Sequence, residues 1–235
     1  MSVQDDDIRA RFAVPFLESR AQLASLANHL LGTGRSAPLW APYDDDEPER
    51  VSTLSFFLKY LKNPATVGAV VPSGESLATL ITSEIDADTG PVLELGAGGG
   101  IFTAALLKRG VSPRDVVAVE LDEVFAKRLS QRFPDITIIN APAERALRHD
   151  NLGHTHFGAA ISGLPLLNFP WRARQRLLHR IFQRLRPDGA LYQFTYGFGA
   201  PVSKSILQSV GLEERFLGRI FRNIPPAAVY KITRR

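Results

Sequence analysis

The 235-residue chain is 45% hydrophobic and 22% charged, a balance that suits one buried core with an appendage better than two full domains. The absence of cysteine excludes disulfides and thiolate metal sites, and no uncharged apolar run reaches the roughly 18–20 residues of a membrane-spanning helix. The net charge of +4 is uneven: residues 1–50 hold five Arg against nine Asp or Glu, and the remainder holds 23 basic against 15 acidic residues. A basic body suits nucleic acid or an anionic membrane surface, or is an ordinary solvated face.

The acidic start MSVQDDDIRARF has the wrong chemistry for a secretory signal, and the lack of cysteine fits a cytoplasmic protein. Leu23, Leu26, Ala27, Leu30 and Leu31 recur at helical spacing, which predicts an N-terminal helical extension over residues 1–50. The extension closes in GTGRSAPLWAPYDDDEPER, a linker rich in Gly, Pro and acid. Residues 51–90 read as lead-in helices. In STLSFFLKYLKN, Leu54, Phe57, Leu58 and Leu61 form an apolar stripe, with Lys59 and Lys62 off it. A further helix starts near Ser73, read as its N-cap, with Glu75 in the first turn.

From residue 91 strands and helices alternate. PVLEL, VVAVEL, ITIIN, GAAISG and ALYQFTYG read as strands; GIFTAALLKRG, EVFAKRLSQRF and RQRLLHRIFQRL read as helices between them. RFLGRIFRN and AAVYKITR suit an antiparallel edge pair. The pattern predicts a doubly wound α/β sheet covered on both faces.

The turn in VLELGAGGG places Glu94, Gly96, Gly98 and Gly100 at alternate positions between a strand and a helix. Glycines there let the backbone pass close under a ligand. The spacing is not the dinucleotide G-x-G-x-x-G, and no Lys-Ser/Thr follows as in a P-loop. Glu120 ends the next strand, where a carboxylate meets ribose hydroxyls. These residues, together with RLRPDGALY, resemble the class I S-adenosylmethionine (SAM) methyltransferases. The resemblance implies a Rossmann-like seven-stranded sheet, SAM as cofactor and S-adenosylhomocysteine as product, with no metal. It places Gly96, Ala97 and Gly98 under the methionine part and ribose, Glu120 on the ribose and Leu121 on the adenine. Gly100, Pro72, Ser73, Ala141, Pro142 and Ser162 complete the implied cofactor contacts. The family's usual adenine-reading Asp is absent from NAPAE, which leaves backbone groups, Asn140 or Glu144 for that contact.

Base-amine methyltransferases carry an Asn and an aromatic around a Pro at the end of the fourth strand. Here the stretch is Gly163-Leu164-Pro165-Leu166, which disfavours a nucleic-acid base as acceptor. NPATVGAVVPSG, SGLPLLNFP and QFTYG together resemble the bacterial phospholipid N-methyltransferases, over roughly residues 52–233. That family's common Asp before the fourth strand is replaced by Gly158. The resemblance implies stepwise methylation of phosphatidylethanolamine by a peripheral enzyme on the inner face of the cell membrane. The expected contacts with anionic lipid are Phe56, Phe57, Lys59 and Lys62 and a basic helix over Arg172–Arg186. Tyr196 and Tyr60 are the candidate aromatic groups for the acceptor nitrogen, with Ser162, Leu164 and Pro165 shaping its pocket and Leu166, Leu167 and Phe169 facing acyl chains. An RNA or small-molecule methyltransferase and a non-catalytic SAM-binding module remain as other readings.

Overall fold

The computed structural model describes residues 72–148, 152, 156–196, 199–221 and 226–235. The predicted helix near residues 19–31, the STLSFFLKYLKN segment and Tyr60, Phe56, Phe57, Lys59 and Lys62 lie outside these residues.

The first described helix, α1 (Pro72–Ile81), begins one residue before the expected cap. Pro72 takes the first helical position, which suits its fixed φ and missing N–H, so Ser73 lies inside the helix and is not the cap. The order is then β1 (Val92–Leu95), α2 (Ile101–Lys108), β2 (Val116–Glu120), α3 (Glu123–Arg132) and β3 (Thr137–Asn140). The second half runs α4 (Ala143–Arg148), β4 (Phe157–Ser162), α5 (Trp171–Arg184), β5 (Leu185–Tyr196), α6 (Lys204–Ser209), β6 (Leu212–Ile220) and β7 (Ala227–Arg234).

The seven strands form one sheet in the order β3-β2-β1-β4-β5-β7-β6. The first five are mutually parallel, and β7 pairs antiparallel with both β5 and β6. Alternate strand residues feed two apolar layers. Leu77, Ile81, Phe102, Leu106 and Leu129 cover one face, from α1, α2 and α3. Leu147, Leu177, Leu178, Ile181, Phe182 and Ile206 cover the other, from α4, α5 and α6. Leu177, Leu178 and Ile181 are fully buried, each worth about 2 kcal/mol by the usual area scale. The doubly wound sheet is thereby present, and its strand order reverses between β1 and β4. In open α/β sheets that reversal opens a crevice at the strand C-termini.

Two elements differ from the sequence expectation. The basic helix spans Trp171–Arg184, so Arg186 belongs to β5. β5 therefore starts five residues before the expected ALYQFTYG and crosses Pro187-Asp188-Gly189, with a register shift opposite Phe157 and Ala159. Gly158 lies in this irregularity. A Cβ on it would stand 1.8 Å from the Thr89 carbonyl oxygen, so no side chain fits without moving backbone. That contact is the physical reason an Asp is excluded here. Gly158→Ala is expected to cost about 2 kcal/mol or more, read as a melting point lowered by several degrees with the far-UV spectrum retained.

Candidate active site

The crevice is built from three turns at the C-terminal end of the parallel strands. The turn after β1 is tied to β2 by Gly96 and Ala97 N–H groups, which donate to the Val119 carbonyl at 2.8 and 3.2 Å. Gly96 has φ +75°, and a Cβ there would also press on Leu164 Cδ2 at 3.1 Å. Among the described residues, no atom beyond the immediate chain neighbours lies within 4 Å of where a Cβ on Gly98 or Gly99 would stand. The backbone therefore forms an open cradle at that point.

Two carboxylates brace the cradle. Glu120 is nearly fully buried; its Oε2 accepts the Gly98 N–H at 2.7 Å and its Oε1 the Asp122 N–H at 2.8 Å. Glu94 is fully buried, with Oε2 accepting the Thr103 hydroxyl at 2.6 Å. Its Oε1 has no hydrogen-bond partner among the described residues. Burial pushes the Glu94 carboxyl up to about 7; the Thr103 hydrogen bonds oppose the rise and the Glu120 charge adds to it.

At the end of the third strand the Asn140 side-chain amide donates to the Glu120 and Leu121 carbonyls at 2.9 and 3.1 Å, so its nitrogen secures the β2 end. The Ala141 N–H likewise donates to the Glu120 carbonyl, at 3.2 Å. Leu121 is 42% exposed on the crevice rim, a flat apolar surface suited to an adenine ring. Pro142 is half-buried beside them.

On the acceptor side, the Gly163 N–H donates to the Leu95 carbonyl at 2.8 Å, and the Ser162 hydroxyl accepts the Leu164 N–H at 3.2 Å. Leu164 and Pro165 are half-buried at the mouth. Gln193, unremarkable in sequence inside an apolar strand, is fully buried beside them. Its Nε2 donates to the Leu164 carbonyl at 2.9 Å and to the Phe194 carbonyl at 2.7 Å, while its Oε1 has no partner among the described residues. A buried acceptor left bare costs about 1–3 kcal/mol, so it points to a ligand donor.

Tyr196 is not brought to this group. It lies three residues further along β5, roughly 10 Å at strand rise, and on the opposite face from Gln193. Its ring packs edge-on against Phe194 at 5.4 Å, and Phe194 packs against Phe102 at 5.7 Å. Leu166 is buried in the core and Phe169 packs on the same apolar layer, contrary to the expectation that both face acyl chains. Leu167 alone of the three is exposed. The arginines of α5 are also less available than their number suggests. Arg180 and Arg184 donate to the Glu144 and Leu147 carbonyls of α4 at 3.3 and 3.0 Å.

The orphaned Glu94 oxygen, the bare cradle and the paired carboxylates fit SAM, a ligand with an ammonium group and a ribose diol. Glu94, Gly96, Gly98 and Glu120 would hold it. Among the described residues, no three His, Asp or Glu side chains converge as a metal site. Residues 92–189 match a family described as a methyltransferase domain, and with this sheet the match supports SAM-dependent methyl transfer. Among particular relatives, the chain is 26% identical over 194 residues to the ornithine lipid N-methyltransferase of Singulisphaera acidiphila, covering 74% of this chain and 94% of the relative. A 42-residue stretch is 55% identical to a probable ribosomal RNA small subunit methyltransferase A of Methanospirillum hungatei, covering 18% of this chain and 15% of that relative. Among solved structures, the 1,6-didemethyltoxoflavin-N1-methyltransferase of Burkholderia thailandensis superposes with a TM-score of 0.58 at 21% identity, over 85% of this chain and 94% of that one.

Glu94 gives a pH test. Its folded carboxyl holds a proton up to about 7 and its unfolded one only to 4.5, so its stabilising contribution is complete below 4.5 and lost as pH rises through 7. Glu94→Gln is therefore expected to stabilise the ligand-free protein at pH 8 by about 3 kcal/mol relative to its effect at pH 4.5, read from paired thermal melts. The same variant is expected to weaken SAM binding at least about tenfold, measured by calorimetry.

Proposed function

We propose that the chain N-methylates the amine of a membrane-lipid headgroup, phosphatidylethanolamine and its mono- and dimethyl derivatives, with ornithine-type amino lipids as the second acceptor class. The similarity to the ornithine lipid N-methyltransferase supports an amine on a lipid. The observation that carries the reading is the distribution of exposed apolar side chains. Ile101, Leu121, Val124, Leu167, Trp171, Phe216 and Phe221 are the large hydrophobic residues left exposed among those described. Ile101, Val124 and Trp171 open helices that follow parallel strands; Leu121, Leu167 and Phe221 follow strand ends. Phe216 lies level with Ser162, the last residue of β4, through Tyr230 and Gln193. The apolar surface therefore concentrates at the end where the crevice opens.

Arginines accompany it. The Arg172 guanidinium lies 5.3 Å from the Trp171 ring and the Arg219 guanidinium 5.8 Å from the Phe216 ring. Apolar side chains beside Arg suit the headgroup layer of an anionic membrane, from which a lipid amine enters the crevice without leaving the bilayer. This rim, and not the arginines near the C-terminus of α5, is the membrane contact supported among the described residues.

Bound SAM supplies an electrophilic methyl on a sulfonium, so that one nitrogen–carbon bond forms as one carbon–sulfur bond breaks and S-adenosylhomocysteine is left. The protein's contribution is to position a neutral amine and exclude water. The turn from Ser162 to Pro165 is uncharged, and its Leu164 carbonyl is an acceptor for an amine N–H.

A base-stacking role is disfavoured because Leu166, at the position of the aromatic in base-amine methyltransferases, is buried in the core. Incubation with radiolabelled SAM and vesicles of phosphatidylethanolamine or ornithine lipid is expected to give labelled N-methyl lipids on thin-layer separation. Labelled RNA with unlabelled lipid would overturn the reading. Leu167→Asp and Trp171→Asp are each expected to weaken vesicle binding roughly tenfold while leaving SAM affinity unchanged, read by vesicle flotation and calorimetry.

A further inference from the structure

A neutral primary amine has two N–H bonds and one lone pair. Aiming the lone pair fixes the nitrogen only if both N–H bonds have acceptors, and one backbone carbonyl supplies one of them. Position 163 is the natural place for a side-chain amide, but a Cβ on Gly163 would stand 2.7 Å from the Gly96 carbonyl oxygen. The close approach of the two turns excludes any side chain there.

The neighbouring strand carries such an amide. Gln193 pairs in register with Ser162, two residues before Leu164. Its orientation is set by its partners: Nε2 faces the Leu164 and Phe194 carbonyls, and reversing the amide would put oxygen against oxygen. Oε1 remains buried with no partner among the described residues.

We propose that Gln193 is the acceptor-positioning group of the site: its Oε1 receives one N–H of the lipid amine, and the Leu164 carbonyl that it steadies receives the other. The inference rests on the lipid-amine reading above. Gln193 exchanges no proton in this role, since an amide is neither acid nor base at neutral pH. The oxygen is buried in the substrate-free protein, so side chains over it must shift to admit the amine, and bulk water is kept from it until then.

The role grades with methylation. The neutral unmethylated amine offers two N–H bonds, its monomethyl derivative one and its dimethyl derivative none. The full chain and its Gln193→Leu variant are compared on vesicles of phosphatidylethanolamine and of its mono- and dimethyl derivatives, with ornithine lipid vesicles as a second primary-amine arm. The variant is expected to lose at least about tenfold in rate on either primary amine and under about threefold on the dimethyl lipid, with SAM affinity within about twofold. Gln193→Met, which fills the same length, is expected to behave alike and guards against a folding defect.

A loss equal on all acceptors marks a structural residue and overturns the inference. So does an unchanged rate on primary amines, or a loss that tracks weaker SAM binding. Wild-type protein that methylates neither lipid overturns the lipid reading and this inference with it; active wild type with an unaffected variant overturns this inference alone.

Discussion

The site depends on the contact between the turn after β1 and the turn after β4. The Gly163 N–H reaches the Leu95 carbonyl, a Cβ on Gly163 would strike the Gly96 carbonyl oxygen, and one on Gly96 would press on Leu164. One turn belongs to the cofactor cradle and the other to the acceptor pocket. Their separation thus sets how near donor and acceptor come, the quantity to which a displacement reaction is most sensitive. The strand order places the contact at the topological switch between β1 and β4. The two apolar layers hold the strands that fix it.

Electrostatics reinforce the same point. Glu94 and Glu120 lie on adjacent strands, one buried with a raised affinity for its proton and the other held by two backbone N–H donors. A carboxyl this dry carries a desolvation cost that a cationic ligand relieves. The cradle is therefore built at some cost to the ligand-free fold, the usual arrangement of a preorganised site.

Much of the fold was legible in the sequence because its signals are local. Apolar runs such as VVAVEL and ITIIN alternate with helical stripes, and the glycine turn sits between β1 and α2 as its composition demands. What escaped is non-local. The helices α4 and α6 have six residues each, too few for a period to show. Because α4 was not foreseen, neither was the use of Arg180 and Arg184 on its carbonyls. Leu166 and Leu167 are identical in sequence, yet one is core and the other rim, because a 3-10 turn over Leu166–Asn168 points them apart. Gln193 has no signature in QFTY; its meaning comes from cross-strand register with Ser162. Gly158 acquires a reason only from Thr89, 69 residues earlier in the sequence.

The placement of β7 between β5 and β6 has a consequence for biosynthesis. During translation β6 emerges before the strand that will join it to the sheet, and β5 remains an open edge for the same interval. Both edges then carry unpaired backbone groups and strand-forming side chains, the condition that invites pairing between nascent chains. Arrival of β7 covers the β5 edge and pairs one side of β6, which stays the outer strand, and its Arg234 then donates to the Phe182, Leu185 and Arg186 carbonyls where α5 turns into β5. The last strand in sequence is thus a latch, and the interval before it engages is the period in which a chaperone that shields strand edges has most to protect.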